Sequence, residues 1–464
     1  MVNDVSDWPN VSIEDTEEQR AQAKKISDEI DDAIQRERRA KEEKRPPRKV
    51  LLLGTWEGTT RNASEVNEPP FAGPSQSGKS TLLKNFHLLF APKSFHAEAE
   101  AWRAVIHLNL AQSVNFILDN LSTPNTISPG NKLFLRQDAG PDVGQLRIRL
   151  SPLRQVEISL NQCLTVEHEA TPRRPISLYN NILRTEGTSK SSIRGGSAWK
   201  ALAKSQTLHS SIKSELQKTR SILDACRDDI VSLWSDPAVR EQLKKQGTTL
   251  EDSSVFFLDN AFRVAARDYI PTADDILRAR LETIGVEEHR IVMETADAGE
   301  EWIFYDIEGS RGQRVASWVP YFDDVHAIIF LVSMADFDQS LPDDPQVNRF
   351  ADSFTLWKTV CENKLIAQTP VMLLLNKADL LQEKLSAGIF FAQFVKEFGD
   401  QPNDLKSVSK YFKTLFMAAH DIHSPKERRL FVQTTCAIDT QAMSLVLREV
   451  KEVILVAMLK GNMI

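Results

Sequence analysis

The segment Gly73-Pro-Ser75-Gln76-Ser77-Gly78-Lys79-Ser80 has the form GxxxxGKS and is followed by Thr81. Such a loop turns its backbone N–H groups and a helix N-terminus toward a phosphate. Lys79 can then neutralise the β- and γ-phosphates, and the Ser80 hydroxyl can reach Mg²⁺. Asp306-Ile-Glu-Gly309 follows the apolar run Trp302–Tyr305. An aspartate there can hold Mg²⁺ through water, and Gly309 can donate its N–H to a γ-phosphate. Asn376-Lys377-Ala-Asp379 follows Val371–Leu375. The Asp379 carboxylate can accept from the N1–H and 2-amino group of guanine, donors that adenine lacks. Thr435-Cys436-Ala437 follows Phe431–Thr434, where a backbone N–H can meet the guanine O6. Each motif alone has an ordinary counterpart: a surface turn, a turn after a strand, a helix N-cap. In this order, each of the last three behind an apolar run, they describe a site for GTP or GDP with Mg²⁺.

Such a site needs strands that end together. From residue 301 short apolar runs alternate with helical stretches. The strands read as Trp302–Tyr305, Ala327–Val332, Val371–Leu375 and Phe431–Thr434, with helices including 346–364, 387–399 and 440–459. That alternation predicts a mostly parallel sheet covered by helices on both faces. Arg48-Lys-Val-Leu-Leu-Leu-Gly54 reads as one more buried strand. Helices are expected at 80–90, 97–121, 212–233 and 251–267. Between about 122 and 210, Pro, Gly, Ser and scattered Arg dominate. Leu146-Arg-Ile-Arg-Leu150 is an alternating island there, and 185–198 is expected to be mobile. Residues 12–44 are charged and free of Gly and Pro. Ile26, Ile30, Ala33 and Ile34 form one narrow apolar stripe, which predicts a long helix that rests on its own domain or docks on a partner. Pro46 and Pro47 end it.

The bulk composition excludes several classes. A net charge of −7 over 464 residues argues against a general nucleic-acid binder. Four scattered cysteines without a CxxC pair suit a reducing compartment and give no metal site. No apolar run reaches the roughly 18 residues of a membrane span. The sequence opens Met1-Val2, so acylation on a glycine at position 2 is not expected, and Lys460-Gly-Asn-Met-Ile464 carries no prenylation box. Lys41–Lys49 is basic and reads as a solvated linker or a contact for anionic lipid.

The chain resembles a heterotrimeric G-protein alpha subunit of a divergent, fungal-like kind. The stretches that carry this are Ala101-Trp-Arg-Ala-Val-Ile106, Leu233-Trp-Ser-Asp-Pro237, Phe257-Leu-Asp-Asn260, Asp268-Tyr-Ile-Pro-Thr272, Asp275-Ile-Leu-Arg-Ala-Arg280, Ala327-Ile-Ile-Phe330, Phe337-Asp-Gln339 and Thr435-Cys-Ala-Ile-Asp-Thr440. The likeness covers about 48–121 and 221–464, with the N-terminal helix similar in character. It implies a Ras-like P-loop GTPase domain at 46–95 and 276–464, interrupted by an all-helical domain at 96–275 and preceded by an N-terminal helix and tail at 1–45. It implies that Arg280 is supplied in cis to the transferring phosphoryl group, that Thr283 is a Mg²⁺ ligand, and that residues 306–325 switch with the γ-phosphate. Nucleotide contacts are implied for Ser75, Gln76, Ser77, Thr81, Leu277 and Arg278 as well. The implied activity is GTP hydrolysis in a switch between a GDP-bound, βγ-associated state and a GTP-bound, effector-binding state, downstream of a seven-helix receptor. The implied place is the cytoplasm or the cytoplasmic face of the plasma membrane, held peripherally through βγ.

Three departures bear on that activity. Ser310 stands where the family carries a water-orienting glutamine, and Glu308 adds negative charge near the triphosphate. Gln313 can replace that glutamine only if the loop is redrawn, so slow hydrolysis is expected. Ile284 and Ile438 replace threonines, with minor effects expected. Finally, Thr55–Gly73 interrupts the phosphate loop. Without those 19 residues, Gly54-Pro-Ser-Gln-Ser-Gly-Lys-Ser reads without a gap. Gly54-Thr55 can be encoded with a splice donor and Phe71-Ala-Gly73 with an acceptor in the same phase. A retained intron or gene-model error is therefore one expectation, and a genuine surface loop that weakens nucleotide binding is the other. The alternative to a working switch is a non-catalytic or nucleotide-binding-impaired scaffold of the same fold.

Overall fold

The computed structural model describes residues 46–54, 77–121, 143–165, 210–245, 250, 252–280, 286–295, 298–307, 325–341 and 344–461. The expected helix at 12–44, the Thr55–Gly73 insert and the stretch 185–198 lie outside the described residues. The chain divides at Pro47, and every strand and helix described belongs to the unit Arg48–Ile464.

Eight strands are present among the described residues: β1 (Arg48–Gly54), β2 (Val286–Val292), β3 (Glu301–Ile307), β4 (Ala327–Ser333), β5 (Ser340–Leu341), β6 (Asp344–Asn348), β7 (Val371–Asn376) and β8 (Leu430–Thr434). Six form one sheet in the order β2-β3-β1-β4-β7-β8, and β5 with β6 makes a separate hairpin. Central β1 runs parallel to both neighbours, setting Leu52 against Asp306 and Gly54 against Leu331. β7 is parallel to β4 and to β8. β4 and β7 are buried at every position, as continuous apolar runs in a parallel sheet must be. The antiparallel edge strand β2 is not among the expected strands. Its sequence Val-Glu-Glu-His-Arg-Ile-Val lacks an apolar run, because an edge strand is half-solvated; Arg290 pairs instead with Glu301 of β3 at 3.1 Å.

Alternate residues of each strand serve opposite faces. Leu51, Leu53, Phe330 and Leu373 pack with Trp357, Phe412 and Phe416, which come from helices Arg349–Glu362 and Leu405–His423. Val50, Leu52, Ile329 and Leu374 pack instead with Phe86 and Phe90 of α1 (Lys79–Phe90) and with Leu447 and Ile454 of the last helix, Thr440–Gly461. The sheet is thus covered on both sides, as expected for a Ras-like fold.

A third core contains no strand. It runs from Phe95 to Ala279 and is centred on α2 (Ala99–Asn120), which is buried almost all round. An apolar helix of that kind belongs in the middle of a bundle. Helices Pro152–Thr165, Ser210–Ser235 and Asp252–Asp259 pack around it.

Two expectations are corrected. The alternating island at 146–150 belongs to a helix, Val143–Leu150. Leu146 and Leu150 are four apart and both buried, so the helical spacing governs and the two-residue alternation is incidental. The expected helix at 387–399 is absent; that stretch holds only single turns at Phe391–Gln393 and Lys396–Phe398. Gly388 and Gly399 bracket it with φ of 85° and 63°, left-handed values that interrupt a helix. The helices there are Ala378–Ser386 before it and Leu405–His423 after it.

Candidate functional site

The parallel strands end on one edge of the sheet, where Gly54, Ile307, Ser333, Asn376 and Thr434 close β1, β3, β4, β7 and β8. Loops leaving the carboxyl ends of such strands are where an open α/β sheet binds ligands.

At the phosphate end, Gly78 precedes α1 with φ of 100°, a conformation suited to glycine. A Cβ there would also collide with the Asn376 amide. Ser77 and Lys79 are buried. Gly54 lies against Ser77 although the whole insert separates them. A methyl group on Gly54 would come within 2.5 Å of the Ser77 Oγ. Asp306 is 1 % exposed at the end of β3.

At the other end, Asn376 joins three segments. Its Nδ2 donates to the Ser77 carbonyl at 2.8 Å. Its Oδ1 accepts from the Thr435 hydroxyl at 3.1 Å and from the Ala437 N–H at 3.0 Å. Asn85 of α1 adds a bond to the Ala437 carbonyl at 2.7 Å. Lys377 takes a left-handed φ of 62° and sends its ammonium to 3.9 Å from Asp336. Asp379 lies in the first turn of the following helix. Burial pushes the Cys436 thiol up, and the neighbouring Asp379 carboxylate adds to the rise.

A separate set of bonds fixes the approach to Arg280. Helix Ala273–Arg278 opens on a capping box in which Thr272 and Asp275 each bond the other's backbone. Both oxygens of the fully buried Asp275 accept from Arg263, each at 2.7 Å. From α1, Thr81 donates to the Leu277 carbonyl at 3.4 Å and Lys84 to the Ala279 carbonyl at 2.5 Å. The Lys84 ammonium also lies 4.5 Å from the Trp102 ring. Burial pushes its pKa down to about 7; the carbonyl and the indole face favour the charged form against that.

The structure therefore brings Ser77, Gly78, Lys79, Ser80, Asn376, Lys377, Asp379, Cys436 and Ala437 to one end of the sheet, with Asp306 on the adjoining strand. Leu277 and Arg278 reach the same neighbourhood, but the Leu277 side chain is core and the Arg278 guanidinium pairs with Asp274 over the Phe256 ring. Gly73, Ser75, Gln76, Thr283, Gly309 and Gln313 lie outside the described residues. Lys84, Asn85 and Asn109 belong to none of the sequence motifs. For Lys84 and Asn85 the available signal is polarity at buried positions among Leu82, Leu83 and Phe86.

Ser80 and Asp306 offer a hydroxyl and a carboxylate. That all-oxygen donor set suits Mg²⁺, which takes one or two carboxylates and completes its shell with phosphate and water. No group of three His, Cys, Asp or Glu side chains among the described residues forms a protein-only cage.

The family model of the G-protein alpha subunit matches residues 70–454. The guanine nucleotide-binding protein alpha-4 subunit of Mycosarcoma maydis is 28 % identical, with 86 % of this chain and 84 % of that protein aligned. A guanine nucleotide-binding protein subunit alpha of Coprinellus congregatus is 27 % identical over 94 % of each chain. The G(o) subunit alpha of Lymnaea stagnalis is 35 % identical over 49 % of this chain and 62 % of its own.

Proposed function

The chain belongs to the G-protein alpha-subunit family, whose members bind guanine nucleotides and hydrolyse GTP, and we propose that it does both at the carboxyl end of its sheet. One observation carries this reading. The Asn376 side chain ties the phosphate loop at Ser77 to the Thr435–Ala437 loop, so motifs hundreds of residues apart face one ligand. Asp379 beside Cys436 accepts from the purine N1–H and 2-amino group, and the Ala437 segment lies where a base carbonyl would be met.

Lys79 and the backbone at Gly78 receive the β- and γ-phosphates at the N-terminus of α1. Ser80 and Asp306, with Thr283, would hold Mg²⁺, which would supply positive charge against the charge that develops on the phosphates. Arg280 places its guanidinium against the transferring phosphoryl oxygens, where charge grows in the transition state. Ser310 cannot orient water as a glutamine does, so turnover is slow. Gln313 is the remaining side chain for that task. The contact of Gly54 with Ser77 supports a phosphate loop that closes across the insert. It adds Gly54 to Gly73 as a glycine at the close approach.

As an alpha subunit the protein works with a βγ dimer and a receptor. We assign βγ to residues 1–45 and 306–325, the receptor to the last helix, and an effector to the GTP-bound form. Among the described residues no helix is long and apolar enough to cross a membrane. The proposed place is the cytoplasm, or the cytoplasmic face of the plasma membrane with peripheral attachment through βγ. The described helices between residues 96 and 275 serve as the helical domain.

The test is binding of GTPγS against ATPγS, with and without Thr55–Gly73. Guanine preference of at least about a hundredfold is expected, lost in Asp379→Ala, because unpaired polar groups in a base site cost that much. Equal binding of both nucleotides by the insert-free protein would end the reading. No binding of either would favour the scaffold alternative, which Ser310 and Glu308 also suit.

A further inference from the structure

Arg280 lies two residues past the end of helix Ala273–Arg278, which is rooted in the strand-free core, yet the chemistry proposed for it lies at the sheet. Its backbone is gripped by one side chain from the middle of α2. The Arg280 N–H donates to the Asn109 Oδ1 at 2.7 Å, and the Asn109 Nδ2 donates to the Arg280 carbonyl at 3.0 Å. Arg280 offers one donor and one acceptor, so the amide orientation is fixed by its partners. The residue before it is held from the other side, by the Lys84 bond to the Ala279 carbonyl. Asn109 itself is locked within α2, whose neighbouring side chains Leu108 and Leu110 are wholly buried. We propose that Asn109 is the positioning residue for Arg280, so that seating of the helical core against α1 sets where the guanidinium starts.

This rests on the reading of Arg280 as the arginine that meets the transferring phosphoryl group. A long side chain can be aimed only if its own Cα is fixed, and a displacement of about 1 Å at a reacting group can cost a hundredfold in rate. The asparagine fixes both peptide groups that flank the Arg280 Cα. Asn109 acts through the Arg280 backbone and not on nucleotide or Mg²⁺, so its removal is expected to lower rate and leave affinity alone.

The experiment combines single-turnover GTP hydrolysis, GTPγS affinity and amide hydrogen exchange on the full chain. Asn109→Ala is expected to slow hydrolysis about tenfold, the loss of two hydrogen bonds read as misplacement. GTPγS affinity should stay within about twofold, and exchange at the Arg280 amide should quicken while the β4 and β7 amides stay protected. Asn109→Asp keeps the acceptor for the Arg280 N–H but sets a carboxylate against its carbonyl. It should retain amide protection and still lose rate. In an Arg280→Ala background, Asn109→Ala should cost nothing more.

A full tenfold loss in that background would overturn the proposal, as would unchanged exchange at Arg280 in Asn109→Ala. If Arg280→Ala slows hydrolysis and Asn109→Ala does not, the clamp falls and the role of Arg280 stands. If Arg280→Ala has no effect, both fall. Should Asn109→Ala not fold, Asn109→Asp decides by the same two readouts, and normal hydrolysis in it overturns the clamp.

Discussion

Two asparagines do comparable work at opposite margins of the site, and they differ in what they hold. Asn376 ends an interior strand and ties together the loops proposed to meet the nucleotide. Asn109 lies in a helix of another core and ties down a segment that supplies one side chain. The first is part of the proposed cradle, so damage to it is expected to be damage to binding. The second stands behind the chemistry, so damage to it is damage to rate. A switch protein can in this way tune how long it stays on without changing what it binds.

The contrast breaks most readily at Asn376. Asn376→Ala leaves the Ser77 carbonyl, the Thr435 hydroxyl and the Ala437 N–H without their partner, a loss of about 3 kcal/mol. GTPγS affinity should fall about a hundredfold while Arg280 keeps its place, and equilibrium binding measures it. Wild-type affinity in this variant would show that the three loops hold themselves.

Gly54→Ala probes the phosphate margin. Its methyl group would meet Ser77 Oγ at 2.5 Å with the Leu331 carbonyl 3.2 Å away, so the loop must move. A loss of about 2 kcal/mol in nucleotide binding is expected, in the range for overpacking a tight site. If affinity is unchanged, the end of β1 takes no part in closing the loop. Ser310→Gln should act in the other direction and on rate alone, raising single-turnover hydrolysis by about tenfold as a water-orienting group is restored. A rate that does not rise would mean that Gln313 already does this work.

The smallest effect is expected behind the arginine segment. Arg263→Ala removes the partner of buried Asp275 at the cap of the helix that leads to Arg280 and should cost about 1–2 kcal/mol at pH 7. Burial tends to raise the Asp275 carboxyl, but the bonds from Arg263 and from the Thr272 backbone outweigh it and hold it below its usual 3.8. A carboxylate with a depressed folded pKa contributes fully above the unfolded value and loses that contribution as pH falls through the folded one. The contribution of ionised Asp275 to wild-type stability should therefore be complete above pH 3.8 and shrink below it, and the gap to Arg263→Ala should narrow in acid, as denaturant titrations at several pH values would read. A gap that does not change with pH would mean that Arg263 acts by packing, through its 5.5 Å approach to the Tyr269 ring.

The motifs at the base end were legible because each is a short run behind an apolar strand. The strands were legible because buried parallel strands have no polar face to alternate with. Edge strand β2 was not, since its polar residues pair across to β3 and leave no periodic signal. The absent helix at 387–399 was misread because Phe391 and Phe398 have helix-like spacing but are brought into the core by turns between two left-handed glycines.

By itself the sequence determined the family, the order of the parallel strands and which residue types stand at their ends: the Asp379 carboxylate proposed for guanine, and the Lys79 ammonium and Ser80 hydroxyl proposed for phosphate and its cation. Tertiary structure alone decided that Gly54 returns to Ser77 across a long insert, that Asn376 spends its amide on protein rather than leaving it free, and that Asn109 reaches Arg280. The bonds of Asn376 and Asn109 join residues between 59 and 299 positions apart, and no local pattern records a partner that only the closing of separate cores brings within reach.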